Sequence, residues 1–311
     1  MHLIRGLSHL DFFSQGCVLT IGNFDGLHLG HQQVLERLAQ QGRTLKLPSV
    51  ALVFEPQPLE YFLADHAPSR LTRLREKAIQ FAKSPIDALL VLPFNSSVAD
   101  IDAEQFISNV LVEQLKTRHL VIGDDFHFGK ARRGNFALLQ SKGLEQGFTV
   151  ENSPSFELNG LRISSTLIRD ALGEGRLDLA KTFLGRDYSV CGRVAHGDKR
   201  GRQLGFPTAN VEMLRKNTPL NGVFAVTLSG LDHKVYKGVA NLGTRPTFDG
   251  QSRAVLETHL FDFQENIYGR YVEVHFKTKL RDEIRFANVT ELQAQIHNDV
   301  AAARHFFMDQ A

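Results

Sequence analysis

The chain has 311 residues and a formal net charge of +2, from 36 Lys and Arg against 34 Asp and Glu. It is long enough for about two domains of roughly 100 to 200 residues each, and too evenly charged to argue for a nucleic-acid partner. Two distant cysteines, Cys17 and Cys191, argue against a disulfide framework or a cysteine zinc site; the start, Met1 to Gly6, lacks a signal-peptide core and no stretch approaches the roughly 18 apolar residues of a membrane span, so a cytoplasmic protein without a membrane partner is expected, its oligomeric state left open.

The first element, Cys17 to Gly22, reads as a buried strand and leads into Gly22-Asn23-Phe24-Asp25-Gly26-Leu27-His28-Leu29-Gly30-His31. A helix follows over 30–42, with Val34, Leu35 and Leu38 on one side. Glycines let backbone N–H groups approach an anion, and a helix N-terminus adds open donors and a positive dipole end. Either histidine alone would ordinarily be a cap or a surface residue. Together at one strand-to-helix junction, His28 and His31 read as a phosphate cradle, and the absence of a Walker or G-x-G-x-x-G pattern sets it apart from P-loop and dinucleotide sites.

Strands over 49–55, 86–92 and 119–123 and helices over 71–83, 103–117 and 135–146 continue the alternation. Such a rhythm predicts a Rossmann-like α/β domain with a mostly parallel sheet and ligands at the carboxyl ends of the strands. Downstream, Arg162-Ile163-Ser164-Ser165-Thr166-Leu167-Ile168-Arg169 places three hydroxyls and an arginine at another helix start. Read alone, Ser164 or Ser165 is an N-cap; with Arg169 the cluster could grip a polyphosphate.

After Gly185 the rhythm changes. Strands over 188–194, 222–228, 234–240, 254–263 and 271–279 follow one another with turns between them, which predicts an antiparallel β-barrel, closed by a helix over 290–307 with Leu292, Ile296, Val300 and Phe307 among its apolar positions. The expected domains are residues 1–185 and 186–311. Within the second, the run from Gly192 through Gly197, Lys199 and Gly201 to Phe206-Pro207-Thr208-Ala209-Asn210 joins a basic glycine loop to an extended segment. Glycine and lysine clusters ordinarily make solvated hairpin turns. Alternation, however, points Thr208 and Asn210 to one side, two oxygen ligands suited to Mg²⁺.

These motifs resemble the bacterial bifunctional riboflavin kinase/FAD synthetase family. The histidine loop and Ile163 to Arg169 look like its H-x-G-H and I-S-S-T-x-x-R motifs. Phe54-Glu55-Pro56-Gln57-Pro58, Leu71 to Lys77, Gly123 to Gly129 and the Pro207 to Asn210 segment extend the likeness over nearly the whole chain. The resemblance implies that the C-terminal barrel phosphorylates riboflavin to FMN with ATP, and that the N-terminal domain transfers AMP from ATP to FMN, giving FAD and pyrophosphate, with Mg²⁺ in both steps. It further implies that His28 and His31 donate hydrogen bonds to the α-phosphate beside Gly22, Asn23, Phe24, Asp25 and Gly30, and that Ser164, Ser165, Thr166 and Arg169 hold the leaving phosphates. Asp125 and Phe126 would belong to the flavin wall, although Asp125 reads equally as a turn-former.

In the barrel the resemblance implies Gly197 to Gly201 over the ATP phosphates and Pro207, Thr208, Asn210, Asn241, Arg245 and Arg285 at the flavin and nucleotide. Glu257 becomes the base for the ribityl 5′-hydroxyl. An acidic residue on a strand is ordinarily its solvent face, and Asp262 is the rival carboxylate, expected on the opposite face from Glu257. Two departures stand out. Ala131 and Asn135 replace a glycine and an aspartate of the family's F-G-x-G-R-x-G-D; Ala131 disfavours a positive φ, whereas Asn135 can still cap the next helix. Phe224 stands where relatives usually carry tyrosine. Two rival functions are an adenylyltransferase of another small molecule, against which Pro207 to Asn210 stands, and a flavin-binding sensor, against which the intact base Glu257 stands.

Overall fold

The computed structural model describes residues 1–7, 10–123, 125–196, 201, 204–215, 217–246 and 252–310. They form two compact units, Met1–Pro68 with Thr72–Ser164, and Ser69–Leu71 with Ser165–Ala311.

In the first unit, β1 (His2–Arg5), β2 (Cys17–Ile21), β3 (Ser49–Glu55), β4 (Ala88–Pro93), β5 (Thr117–Gly123) and β6 (Thr149–Ser153) form one parallel sheet in the order β1-β4-β3-β2-β5-β6. The central strands are mostly apolar and buried, as in Val50 to Val53 and Leu120 to Ile122, because both faces are covered. One face gathers Leu19, Val50, Leu52, Leu90, Leu120 and Ile122; the other gathers Val18, Ala51, Val53, Leu89 and Val121 with Leu35 and Leu38 of α1 (Leu29–Leu45). Strand order reverses between β2 and β5, so the carboxyl end of β2, where the histidine loop begins, is the topological switch point at which such sheets bind ligands.

The four central strands lie where the apolar runs predict them, within two residues. The edge strands β1 and β6 were not legible, because β1 is short and mostly exposed and β6 carries the polar sequence Thr-Val-Glu-Asn-Ser. The helix expected over 103–117 begins as one α-turn, Ala103–Gln105, capped by Asp102, and continues to Gln114 as a wider π-wound stretch. The remaining helices of this unit are α2 (Pro58–Leu63), α3 (Leu74–Phe81), α4 (Ser96–Ala99), the turn Ala103–Gln105 as α5, and α6 (Phe136–Gln146).

The second unit opens with α7 (Ser165–Gly173) and α8 (Leu177–Leu184), and Gly185, left-handed at φ 71, ends α8. A closed antiparallel barrel follows: β9 (Ser189–Ala195), β10 (Ala209–Glu212), β11 (Gly222–Ser229), β12 (Tyr236–Pro246), β13 (Ser252–Leu260) and β14 (Tyr271–Arg281), in the order β10-β13-β12-β11-β14-β9. Closure removes the sheet edges that would otherwise be open. Alternate residues fill the interior, among them Phe224 and Phe276, edge to face at 5.3 Å. Phe224 is fully buried. On the outer face Val223, Ala225, Val239 and Phe261 pack against Ala303 and Phe307 of the C-terminal helix, α9 (Val289–Met308).

Two arginines of this unit hold the carbonyls of residues 69–71. Arg169 donates to Ser69 O (2.6 Å), and the buried Arg215 donates to Arg70 O (3.0 Å), Leu71 O (3.4 Å) and the Tyr188 hydroxyl (3.0 Å).

Candidate active sites

The histidine loop is built by backbone turns that its side chains then lock. Phe24, Gly26 and Leu27 take positive φ values of 46°, 84° and 41°, which folds Asp25 inward until it is 2% exposed. There its carboxylate accepts from Thr72 N (2.9 Å) and Thr72 Oγ1 (3.2 Å), while Thr72 Oγ1 accepts from Gly26 N (2.9 Å). The fully buried Lys77 donates its ammonium to Asn23 O. Asp25 thus shapes the loop from beneath; Thr72 and Lys77 were visible in the sequence only as part of a family segment, with no pattern to signal their role.

Above that floor, His28 is the N-cap of α1. Its Nδ1 accepts from His31 N (3.3 Å), which puts the proton of the neutral ring on Nε2. The two imidazoles stack at 3.6 Å and 17°, and Phe24 lies against His31 at 5.0 Å. A Cβ at Gly30 would stand 3.3 Å from the His28 ring, so glycine gives the stack its room. No acidic residue sits in the first turn of α1. Two imidazoles stacked beside a helix N-terminus are an arrangement that can hold a phosphate.

An aromatic tract lies along the carboxyl ends of the neighbouring strands. Phe54 at the end of β3 meets Phe94 (5.5 Å) and Phe106 (6.5 Å); Phe94 meets Tyr61 (5.5 Å) and Phe62 (5.8 Å) of α2; Phe106 meets Phe128, which stacks on Phe126 at 5.5 Å and 17°. Phe62 is 63% exposed. Of these, the sequence assigned a flavin-wall role to Phe126 alone, with Phe54 and Phe128 only inside family segments. The signal that could have found the others is α2 itself, Pro-Leu-Glu-Tyr-Phe-Leu, a helix with four exposed large apolar residues.

Asp125 is exposed and paired with Arg162 at 2.8 Å. Ala131 corrects an expectation: it takes φ 56 and ψ 24 although it is not glycine, followed by Arg132 at φ 57, because the chain must turn within the short bridge that pairs Phe128 with Gly134. Asn135 does cap α6, accepting from Leu138 N at 3.0 Å. Ser164 closes the first unit, while Ser165, Thr166 and Arg169 lie on α7 in the second.

In the barrel, register assembles the site. Asn210 on β10 is directly opposite Glu257 on β13, and Glu257 is directly opposite Asn241 on β12. Directly paired residues project from the same face, here the outer face that α9 partly covers. Asn241 Nδ2 donates to Glu283 Oε1 (3.1 Å), which the sequence did not single out, and Asn221 Nδ2 donates to Glu283 Oε2 (3.3 Å). Arg285 is exposed two residues further on. Asp262, the rival of Glu257, follows β13 at φ 55 and is bound through both oxygens by Arg304 at 2.9 and 3.1 Å. That hydrogen-bonded guanidinium holds its carboxyl below the usual carboxylate range. Asp262 is therefore committed to α9.

Gly197, Lys199 and the side chain of Arg245 lie outside the described residues. Gly201 is described, and a Cβ there would sit 2.5 Å from Phe206 O and 3.1 Å from Thr208 Oγ1. Glycine keeps open the space beside the hydroxyl. Thr208 and Asn210 are hard oxygen donors that fit Mg²⁺, which usually keeps waters and takes few protein ligands alongside phosphates. Among the described residues there is no cluster of three or more His, Cys, Asp or Glu able to cage a metal.

Comparison with known proteins matches each half separately. Residues 12–167 fit the family model for FAD synthetase, and residues 184–307 fit that for riboflavin kinase. Over 308 residues the chain is 49% identical to the bifunctional riboflavin kinase/FMN adenylyltransferase of Escherichia coli K12, covering 99% of this chain and 98% of that one. The protein of the same description from Pseudomonas fluorescens is 47% identical over 304 residues, covering 98% and 97%. A crystal structure described as a macrolide-efflux protein from Streptococcus pneumoniae superposes with a TM-score of 0.82 at 28% identity, covering 98% of this chain and 99% of that one.

Proposed function

The chain belongs to the bifunctional riboflavin kinase/FMN adenylyltransferase family, and from that premise we propose which residues carry each of its two reactions. The barrel phosphorylates riboflavin to FMN at the expense of ATP. The parallel-sheet domain then joins FMN to the AMP moiety of a second ATP, giving FAD and pyrophosphate. The functional division proposed is 1–185 and 186–311, in a cytoplasmic enzyme.

In adenylyl transfer the FMN phosphate attacks the α-phosphorus of ATP and pyrophosphate leaves, so negative charge builds on the α-phosphoryl oxygens. His28 Nε2–H and the His31 ring, stacked beside the α1 N-terminus, are the donors assigned to those oxygens. One preorganised donor of this kind is worth about 100- to 1000-fold in rate. Gly22, Asn23, Phe24 and Gly30 shape the cradle, with Asp25 locking it from below. Ser164, Ser165, Thr166 and Arg169 are assigned to the departing phosphates. The tract from Tyr61 and Phe62 to Phe126, with Asp125, supplies the wall for the flat flavin ring.

In the kinase, Glu257 takes the proton of the ribityl 5′-hydroxyl as that oxygen attacks the γ-phosphorus. Thr208 and Asn210 would hold Mg²⁺, which when bound neutralises charge on the transferring phosphate. Gly197, Lys199 and Gly201 are assigned to the ATP phosphates, and Pro207, Asn241, Arg245 and Arg285 to the flavin and nucleotide. The observation that carries this reading is the cross-strand row Asn210, Glu257, Asn241, which sets a carboxylate between two amides on one face. Incubation with riboflavin, ATP and Mg²⁺, followed by chromatography, should yield FMN and then FAD; folded protein that made neither would refute it.

A further inference from the structure

The backbone ladder between β10 and β13 pairs Val211 with Leu256, Asn210 with Glu257 and Ala209 with Thr258, and there it stops. One step beyond, a side chain takes over. His259, two residues from Glu257 and on the same face of β13, places Nδ1 2.9 Å from the carbonyl oxygen of Pro207. A carbonyl only accepts, so Nδ1 carries the proton and the contact is a donated hydrogen bond. The nearly buried Phe206 meets the His259 ring edge-on at 5.5 Å and 84°, and meets His297 of α9 at 4.7 Å and 79°. The imidazole thus has Phe206 against its ring, and its hydrogen bond ties down the peptide that leads directly into Thr208.

We propose that His259 is a positioning residue of the phosphotransfer step: its Nδ1–H clamps the Pro207 carbonyl and thereby sets the place of the Thr208 hydroxyl. The inference rests on the reading of Thr208 and Asn210 as Mg²⁺ ligands in the kinase half. Without the clamp, Thr208 would sit at the open end of β10, where strand ends fray and the hydroxyl samples positions away from Asn210. Residues that orient a metal's ligands typically change affinity or activity by about 10- to 100-fold when removed.

The test uses the full chain, so FAD formation from supplied FMN serves as an internal control in every variant. His259→Asn keeps an amide N–H where Nδ1 stands, His259→Gln moves the donor to the Nε2 position, and His259→Leu removes it. Leu and Gln should raise the Mg²⁺ concentration for half-maximal riboflavin phosphorylation about tenfold, with kcat at saturating Mg²⁺ changed less than about threefold, and Asn should restore it to within about twofold. Nitrogen-15 NMR of the imidazole should show the proton on Nδ1 in the ligand-free chain. Thr208→Ala is the reference and should raise the Mg²⁺ requirement at least as much as Leu. A proton on Nε2, an Asn variant as impaired as Leu, or Leu and Gln variants with normal Mg²⁺ dependence while Thr208→Ala is impaired would overturn the role of His259. A Thr208→Ala variant with normal Mg²⁺ dependence would instead overturn the assignment of Thr208, and this inference with it.

Discussion

In the parallel-sheet unit the candidate α-phosphate donors sit on one loop, whereas in the barrel the candidate base and its amide neighbours sit on a row of facing strands. From Gly22 to His31 ten consecutive residues supply the turns, the helix N-terminus and both imidazoles, and a buried Asp25–Thr72 pair locks them. In the barrel, Asn210, Asn241 and Glu257 are far apart in sequence and meet only because β10, β13 and β12 pair in one register. A loop site is protected by its local hydrogen bonds. A row site is protected by the closure of the whole barrel.

This contrast predicts separable losses. The largest is expected from Glu257→Gln, which should lower FMN formation by about 10²- to 10⁴-fold, the usual worth of a general base, while FAD still forms from supplied FMN; loss of both products would break the division of labour. His31→Ala should do the reverse, lowering FAD formation about 100- to 1000-fold and sparing FMN, as followed by chromatography of both flavins.

Stability should separate in the same way. Asp299, 6% exposed, accepts from Arg281 at 2.8 and 2.7 Å and from Gln295 at 2.9 Å. Removing one partner of such a pair leaves a half-buried charge, so Asp299→Ala should cost the barrel about 3 kcal/mol, read as an earlier loss of kinase activity on heating. Thr72→Val takes from Asp25 a hydroxyl donor and from Gly26 N its acceptor. It should destabilise the sheet unit by about 2 kcal/mol and slow FAD formation with FMN formation intact. The smallest effect is expected from Ala131→Gly, where relief of a left-handed alanine should stabilise the sheet unit by about 1 kcal/mol. A destabilised glycine variant, measured by denaturant unfolding, would show that the alanine contributes contacts outweighing its backbone strain.

How much could be read in advance follows the same division. The histidine loop was legible because its residues are contiguous and a strand-to-helix junction leaves a local pattern, and the Asn135 cap was legible for the same reason. Thr72 and Lys77 were not legible as the floor of that loop, because a buried threonine or lysine carries no periodic signal until the fold brings it within hydrogen-bond distance. The aromatic tract was missed because its rings come from the ends of different strands and from α2. Asp262 and Glu257 were both acidic candidates on or beside one strand, and the resemblance favoured Glu257; that Asp262 is held by Arg304 of α9 could not be read in advance.

The sequence by itself determined the alternation of buried strands and amphipathic helices, the change to antiparallel strands after Gly185, and the motifs that each occupy a single turn of chain. Those features rest on side-chain periodicity and on backbone preferences of a few neighbouring residues. Only the tertiary structure decided which strands stand next to one another, that Asn210, Glu257 and Asn241 share a face, that Ala131 takes a left-handed turn, and that His259 reaches the Pro207 carbonyl. Register explains why: shifting a strand by one residue sends every side chain to the other face, and in a closed barrel the pairing of each strand is settled jointly with that of its neighbours.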